Sequence, residues 1–377
     1  MAGFIPANVR QDIAANLSSK SLYLELCNFA LREISSDLPI AQLMTSTSKK
    51  QSENSERILK VRDLTVSFAT ENGPARVIED VSFSVEHGRT LGLVGESGCG
   101  KSVTAMSIIR LLPSPPSQVE SGRIMFNGQD LLKLDDAAMR KIRGNRIGMI
   151  FQEPMTSLNP TFSIGFQIGE VLRLHRGLDR HQARDRSVEL LDMVGVGSPG
   201  ARVDQYPHEL SGGLRQRVMI AMAIACGPAL LIADEPTTAL DVTIQAQILD
   251  LLVRLQQELE MSILMITHDL GVVAEFCDHV VVMYAGMIVE KAPVDQIYSN
   301  PRHPYTHGLL ASVPQLGHKQ TYLPTIPGMV PAVGDRPQGC YYSDRCERVT
   351  DICWRKIPPL DGRGTEIRLA CWNPYGT

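Results

Sequence analysis

The chain has 377 residues, of which 44% are hydrophobic and 21% are charged, so it contains enough apolar material for a large core with appended segments. Its formal charge of −4 and pI near 6.2 provide no basic surface for nucleic acid, which argues against a nucleic-acid partner. The longest uncharged apolar stretch, residues 218–233, is interrupted by Gly227-Pro228 and is shorter than the roughly 20 residues that a bilayer span needs. We therefore expect no segment to cross a membrane.

Residues 1–57 are interpreted as an N-terminal extension that ends in a polar linker. A short apolar helical pattern at 22–31 is followed by a Ser/Thr/Lys/Glu-rich stretch at 45–56. Because Met44 precedes the polar stretch, residues 1–43 have a second interpretation, an artefact of the choice of start codon. The N-terminus does not have the charged, apolar and small-residue order of a signal peptide, which predicts a cytoplasmic protein.

The pattern from residue 58 to about 310 predicts a large α/β domain. Alternating segments at 58–61 and 81–85 favour half-exposed antiparallel strands, whereas uniformly apolar segments favour parallel strands covered by helices on both faces. The uniformly apolar segments are residues 91–94, 230–233 and 263–266. Helical periodicity between about 154 and 215 indicates an inserted helical subdomain.

A glycine-rich loop follows the first of these apolar strands and precedes the helical pattern at 103–112. The loop consists of Gly95, Glu96, Ser97, Gly98, Cys99, Gly100, Lys101 and Ser102. It fits the G-x-x-x-x-G-K-[ST] pattern in the strand–loop–helix context that the motif requires. The spacing predicts a phosphate-binding loop in which Lys101 contacts the β- and γ-phosphates and Ser102 binds Mg²⁺.

Two acidic residues, Asp234 and Glu235, end the apolar segment at 230–233. An unpaired charge is costly at the end of a buried strand, so both carboxylates are expected to have partners. We predict that Asp234 holds Mg²⁺ through water and that Glu235 is the general base that activates the attacking water.

Further motifs, in order along the chain, complete a recognisable set. Gln152 lies in Ile-Phe-Gln-Glu-Pro, Ser211 in Leu-Ser-Gly-Gly, and Asp241 and His268 follow the acidic pair. Together with the phosphate loop, these motifs resemble the nucleotide-binding subunits of ABC transporters. The resemblance implies a P-loop cassette with a parallel core sheet, an antiparallel β subdomain and an inserted helical subdomain.

The resemblance also implies roles for individual residues. Ser211, Gly212 and Gly213 would bind the ATP held by a second subunit, packed head to tail. Asp241, which ends the loop after the acidic pair, would also belong to the nucleotide-binding residues. His268 would contact the γ-phosphate, and Gln152 would link the Mg²⁺ site to the helical subdomain. Leu214 replaces the glutamine that is usual after the signature. Phe68 occupies the place of the aromatic that stacks on adenine, although a core aromatic is the simpler alternative.

Prolines are frequent after residue 300, which predicts an extended tail at 311–377, and four cysteines lie close together near the chain end. They are Cys340, Cys346, Cys353 and Cys371. In a reducing compartment this grouping favours metal over disulfides, but the spacing by itself is not specific. The tail resembles that of dipeptide/oligopeptide importer ATPases, which implies a [4Fe–4S] cluster; zinc and free thiols are the alternatives.

We therefore predict an ATP-hydrolysing importer subunit on the cytoplasmic face of a bacterial inner membrane. The implied partners are a second homologous ATPase subunit, two transmembrane permease subunits and an extracytoplasmic peptide-binding protein. Dipeptides, oligopeptides, glutathione and nickel chelates all remain open as cargo. A soluble ABC ATPase of DNA repair or translation is disfavoured because no tandem cassette or coiled-coil insertion is evident, and a non-catalytic redox module because Glu235 and His268 are present.

Overall fold

The computed structural model describes residues 57–71, 73–153, 157–238, 240–313, 324–362 and 365–376. These residues all belong to one compact unit that spans residues 50–377. The sequence-based interpretations of residues 1–56 lie outside the described residues. In the described part of the chain, no helix is long and apolar enough to span a membrane.

Eleven described strands form two sheets. They are β1 (Arg57–Thr70), β2 (Gly73–Glu86), β3 (Thr90–Val94), β4 (Ser117–Phe126), β5 (Gln129–Asp130), β6 (Ile147–Ile150), β7 (Leu230–Asp234), β8 (Ser262–Thr267), β9 (His279–Tyr284), β10 (Met287–Pro293) and β11 (Arg368–Leu369). The four-stranded sheet has the order β2-β1-β4-β5, and the seven-stranded sheet has the order β11-β10-β9-β3-β8-β7-β6.

Five strands of the larger sheet, β6, β7, β8, β3 and β9, are parallel to one another. Strands β3, β7 and β8 are buried along their whole length, which explains their uninterrupted apolar sequences. These three strands are the ones predicted from the sequence. Their carboxyl ends lie at one edge of the sheet, where parallel topology gathers the functional loops.

The four-stranded sheet is antiparallel, as predicted, but its first two strands extend well beyond the alternating segments. Strands β1 and β2 have 14 residues each. Their register shifts several times, and Asp63 adopts a left-handed backbone near one shift, with φ 48°. The bulges break the strict alternation of apolar residues, which is why the sequence indicated only short pieces.

Helices cover the larger sheet and form the inserted subdomain. They are α1 (Lys101–Ile108), α2 (Asp136–Ile142), α3 (Ile164–Arg176), α4 (Arg180–Met193), α5 (Pro199–Arg202), α6 (Gly212–Ile224), α7 (Val242–Glu258), α8 (Leu270–Phe276), α9 (Val294–Ser299), α10 (Pro304–Ala311) and α11 (Asp351–Arg355). Helices α3 and α4 bury Ile168, Leu172, Leu190 and Leu191 against the core, which matches the periodicity of this region.

The tail is built mainly from loops, but it packs onto the cassette. Strand β11 extends the larger sheet by pairing with β10. Arg336 donates hydrogen bonds to the carbonyl oxygens of Arg76 (2.7 Å) and Val77 (2.9 Å) in β2, and the Tyr341 hydroxyl bonds Glu79 of the same strand at 2.8 Å. The tail therefore contacts the elements that surround the phosphate loop.

Candidate active site

The phosphate loop joins β3 to α1 and depends on glycine at two close backbone approaches. A Cβ at Gly95 would lie 2.3 Å from the carbonyl oxygen of Met283 in β9. Gly100 is the N-cap of α1 with φ 101°, and a Cβ there would lie 2.7 Å from Ile78. The loop is thus held tightly between β2 and β9.

Lys101 is buried at the start of α1 and folds back over the loop. Its Nζ donates to the carbonyl oxygens of Gly95 at 2.7 Å and Glu96 at 3.0 Å. The ammonium group therefore sits within the curve of the loop, beside the N-terminus of a helix that attracts anions. This arrangement suits an incoming phosphate, which would replace the carbonyl oxygens as the partner of Lys101.

Asp234 ends β7 with only 2% of its surface exposed, next to the phosphate loop. Burial raises the pKa of Asp234, and a hydrogen bond from Ser102 opposes that effect. Its Oδ1 atom is buried and has no hydrogen-bond partner within the part of the chain that the structure describes. A buried carboxylate oxygen without a hydrogen-bond partner is energetically unfavourable. This atom is therefore suited to bind a cation or a water molecule of the cation's hydration shell.

Glu235, the next residue, contacts three polar side chains: Thr238 nearby in the chain, and Gln152 and His268 from distant parts of it. Its Oε2 accepts hydrogen bonds from Gln152 at 3.0 Å and Thr238 at 2.9 Å. Its Oε1 lies 3.2 Å from Nδ1 of His268. The fold thus brings together Gln152, Glu235 and His268, the three residues that the sequence suggested for catalysis.

The backbone and electrostatics of Glu235 are both unusual. Its φ of 48° places a non-glycine residue in the left-handed region, which is uncommon for residues other than glycine. Burial acts to raise the pKa of Glu235, but hydrogen bonds from Thr238 and His268 outweigh it, so the net pKa lies below its ordinary value. The carboxylate is consequently ionised at neutral pH and able to accept a hydrogen bond from water.

Ser211 is the N-cap of α6, and Gly212 is the first residue of that helix. Both are exposed, Gly213 is half-buried, and, among the described residues, the Ser211 side chain makes no capping hydrogen bond. The N-terminus of this 13-residue helix therefore presents free donors to a partner. Further along the helix, the buried Gln216 donates to the carbonyl oxygen of Pro236, directly after Glu235.

Asp241 and Phe68 occupy positions with clear local roles. Asp241 is the N-cap of α7, where its carboxylate accepts the backbone N–H of Ile244 at 2.9 Å, and it is exposed. Phe68 lies near the end of β1, opposite Ala75 of β2, and is half-buried against the core. Neither placement conflicts with the nucleotide role suggested by the resemblance, and neither tests it.

The four tail cysteines lie close enough together to interact electrostatically. The Cys340 thiol interacts with those of Cys346, Cys353 and Cys371, and Cys371 interacts with Cys346 and Cys353. Burial raises the pKa of Cys340 to about 12 and that of Cys371 to about 11. Nevertheless, within the ranges that the structure describes, no three His, Cys, Asp or Glu side chains are arranged to hold a metal ion. The side-chain geometry thus gives no support to the predicted [4Fe–4S] cluster.

Comparison with known proteins identifies the family. The ABC transporter family model matches residues 78–238, and the model for the C-terminal region of oligopeptide/dipeptide transporters matches residues 289–353. A peptide import ATP-binding protein of Brucella melitensis is 54% identical over 314 residues, covering 80% of this chain and 93% of that protein. The chain belongs to the ATP-binding subunits of ABC transporters.

Two further relatives and one solved structure agree with this assignment. The oligopeptide transport ATP-binding protein OppD of Bacillus subtilis is 52% identical, with 81% of this chain and 85% of that protein aligned. The dipeptide transport ATP-binding protein DppD of Escherichia coli is 48% identical, with 84% and 97% aligned. A dimeric ATP-binding cassette, MJ0796, determined with ADP and phosphate, superposes with a TM-score of 0.57 at 27% identity, covering 63% of this chain and 98% of that one. The predicted cassette fold and ATPase class are confirmed.

Sequence reasoning missed several residues of this ABC ATPase site. Thr238 binds Glu235, Tyr305 receives a hydrogen bond from the backbone of the phosphate loop, and Arg345 of the tail pairs with Glu96 of that loop. Thr238 lies within the Asp-Glu-Pro-Thr-Thr segment, so its proximity to Glu235 could have been predicted from that motif. Tyr305 and Arg345 lie more than 200 residues from the loop, so no local pattern connects them to it.

Proposed function

We propose that this chain hydrolyses MgATP to drive the uptake of dipeptides or oligopeptides. The observation that carries the proposal is the convergence of Gln152, Thr238 and His268 on the ionised Glu235, beside the phosphate loop. The cargo class rests on relatives named for peptide, oligopeptide and dipeptide transport, two of them aligned over more than 90% of their own length.

In the proposed mechanism, Lys101 and the loop N–H groups bind the phosphates of ATP. Glu235 accepts a proton from the attacking water, while His268 holds the geometry around the γ-phosphate. Gln152 donates to this carboxylate and lies just before the helical subdomain in the sequence, so it is proposed to link the site to that subdomain. The other nucleotide-contacting residues are proposed to be Phe68 at the base, together with the loop residues Gly95 to Ser102.

The Mg²⁺ that accompanies ATP would be held by Ser102, Gln152 and Asp234. Two observations favour Asp234 and Ser102 in this set: the buried Oδ1 of Asp234 has no hydrogen-bond partner among the described residues, and Ser102 bonds the same carboxylate. The cation would supply charge neutralisation for the phosphates. Ser102 lies at the start of α1, and Asp234 ends β7.

A second ATPase subunit is proposed to complete the site. Ser211, Gly212 and Gly213 lie at an exposed helix N-terminus whose donors suit a phosphate held by another chain, with Asp241 near the same interface. We propose a homologous but different subunit as the partner, two permease subunits as the membrane-spanning components, and a peptide-binding protein outside the membrane. This chain would then be peripheral, on the cytoplasmic face of the inner membrane.

Reconstitution tests this proposal. The native complex should be purified with its permeases, placed in vesicles, and supplied with radiolabelled di- and oligopeptides, glutathione or a nickel chelate. We expect ATP-dependent uptake of a peptide and none with Lys101→Ala. Uptake of only glutathione or the nickel chelate would show that the cargo is not a peptide. ATP hydrolysis without transport of any of these compounds would contradict the role as an importer subunit.

The four tail cysteines are proposed to bind a [4Fe–4S] cluster. The support is their mutual electrostatic interaction and their place in a segment with little regular structure, where a metal site can replace a hydrophobic core; Cys353 is buried there and the other three are half-buried. Their thiols must reorient to reach ligand geometry. A bound iron cluster would lower the pKa of the Cys340 and Cys371 thiols, which burial raises.

Anaerobic purification tests the cluster. We expect brown protein that absorbs broadly at roughly 400 nm and holds about four irons per chain. A single Ser substitution at each of the four cysteines should remove the colour, whereas Cys226→Ser and Cys277→Ser, in the cassette core, should keep it. Stoichiometric zinc would replace the cluster with a structural zinc site, and protein without metal or labile sulfide would leave free thiols.

A further inference from the structure

Arg345, in the tail, makes a two-pronged ion pair with Glu96 of the phosphate loop. Its Nη1 lies 2.7 Å from Oε2 of Glu96, and its Nη2 lies 3.0 Å from Oε1. The Arg345 side chain is only 4% exposed, and that of Glu96 is 31% exposed. Paired donors meeting both oxygens of a carboxylate form the strongest and most directional kind of protein ion pair.

The surrounding residues hold Arg345 in a single orientation. Its Nε donates to the carbonyl oxygen of Pro327 at 2.7 Å, and Nη1 also reaches the hydroxyl of Tyr284 at 3.3 Å. The guanidinium group lies over the rings of Tyr284 and Tyr342, 5.7 and 6.0 Å from their centroids. A side chain fixed by this many partners places its charge accurately.

The backbone of Glu96 is fixed as well. Its N–H donates to the hydroxyl of Tyr305 in α10 at 2.8 Å, and its carbonyl oxygen accepts from Nζ of Lys101 at 3.0 Å. The ring of Tyr305 packs edge-on against Tyr284, which in turn contacts Arg345. Tyr305 of α10 and Arg345 of the tail thus fix the main chain and the side chain of Glu96, the second residue of the phosphate loop.

This contact has an electrostatic consequence for nucleotide binding. A free carboxylate within a loop that binds a polyphosphate would repel the ligand, and the loss would be largest where water is excluded. We propose that Arg345 is a positioning residue for ATP: it neutralises Glu96 and fixes the start of the phosphate loop, so that the tail helps to set nucleotide affinity. The inference rests on the ATP-binding function of the loop.

The proposal predicts an effect on affinity rather than on the chemical step. In Arg345→Gln, Glu96 loses its counter-charge while Glu235, His268 and Gln152 keep their contacts. We expect the Kd and KM for MgATP to rise about tenfold, with kcat at saturating MgATP within about threefold of wild type. The loss should shrink at high salt, because the repulsion between the carboxylate and the phosphates is screened.

A double-mutant cycle separates this role from general support of the tail. Adding Glu96→Gln to Arg345→Gln removes the unpaired charge and should restore most of the lost affinity. The matched control is Arg348→Gln: Arg348 lies in the same tail, where it bonds Asn373 and lies over the ring of Tyr375 near the end of the chain. MgATP affinity of the full chain, measured by equilibrium titration, should be unchanged in this control.

Three results would overturn the inference. They are unchanged affinity in Arg345→Gln, equal losses in Arg345→Gln and Arg348→Gln, or no recovery when Glu96→Gln is added. Titration of the wild-type protein with MgATP in the same experiment distinguishes a failure of this inference from a failure of the proposed ATP-binding function. A wild-type chain that fails to bind MgATP would contradict the proposed function, whereas normal wild-type binding with any of the three results contradicts only the role of Arg345.

Discussion

Protonation of His303 should destabilise the fold as the pH falls below 6.5. His303 is fully buried at the N-terminus of α10, where its Nδ1 accepts the backbone N–H of Tyr305 at 3.0 Å and caps the helix. Burial lowers its pKa from 6.5 to about 3, although a hydrogen bond with the backbone of Ala370 opposes the shift. Because Tyr305 also contacts the phosphate loop, this position connects acid sensitivity with the nucleotide site.

The size of the effect follows from the two pKa values. The folded pKa lies below the unfolded one, so the unfolded chain takes up the proton first as the pH falls. The stabilising contribution is complete above about pH 6.5 and is lost progressively between 6.5 and about 3. Each pH unit in that window costs about 1.4 kcal/mol, so moving from pH 7 to pH 5 should cost about 2 kcal/mol.

Urea denaturation of wild type and His303→Asn at pH 7 and pH 5 measures this contribution. Asparagine keeps a capping oxygen but does not titrate, so the variant should lose about 2 kcal/mol less than wild type over the interval. The nearby Glu290, whose pKa burial raises, acts in the opposite direction, and the difference between the two proteins cancels it. Equal losses in both proteins would refute the assignment of a neutral, buried His303.

Three further tests address the loop and the core. Lys101→Ala should abolish tight MgATP binding in an equilibrium titration, because a buried charge aimed at the phosphates is lost; near-normal affinity would argue against the loop assignment. Gly95→Ala should weaken binding more than Gly98→Ala, since only at Gly95 would the new Cβ lie 2.3 Å from a carbonyl oxygen of β9; the reverse order would contradict the geometry. Leu252→Ala, at a fully buried position of α7, should lower the free energy of unfolding by about 2–5 kcal/mol, while Val253→Ala, at a 37% exposed neighbour, should change it by less than about 1; similar values would place the core wrongly.

The fold was predictable wherever burial is uniform or strictly periodic. Strands β3, β7 and β8 could be predicted from their uniformly apolar sequences, because both faces of each strand are covered. Strand β9 was not predicted although it contains three consecutive valines, because no functional motif follows it in the sequence. The bulged register of β1 and β2 also hid their full length, since alternation fails at each shift.

The site was predictable to the extent that motifs are local. Phosphate-loop chemistry requires adjacent residues, so Lys101 and Ser102 were evident from spacing alone. The grouping of Gln152 and His268 around Glu235 depended on resemblance, because only the folded sheet brings them within hydrogen-bonding distance. The contact of Arg345 with the loop depends on how the tail returns to the cassette, and nothing in the neighbouring sequence encodes it.

The most direct test of the account is ATP hydrolysis by Glu235→Gln in the assembled complex. Glutamine preserves the size of the side chain and its contacts with Thr238 and His268 but cannot accept the proton of the attacking water. We predict that MgATP binding survives, that turnover falls by about 100-fold or more, and that ATP traps the subunits as a dimer on a sizing column. Turnover at the wild-type rate would contradict the assignment of Glu235 as the base and, with it, the mechanism proposed for this site.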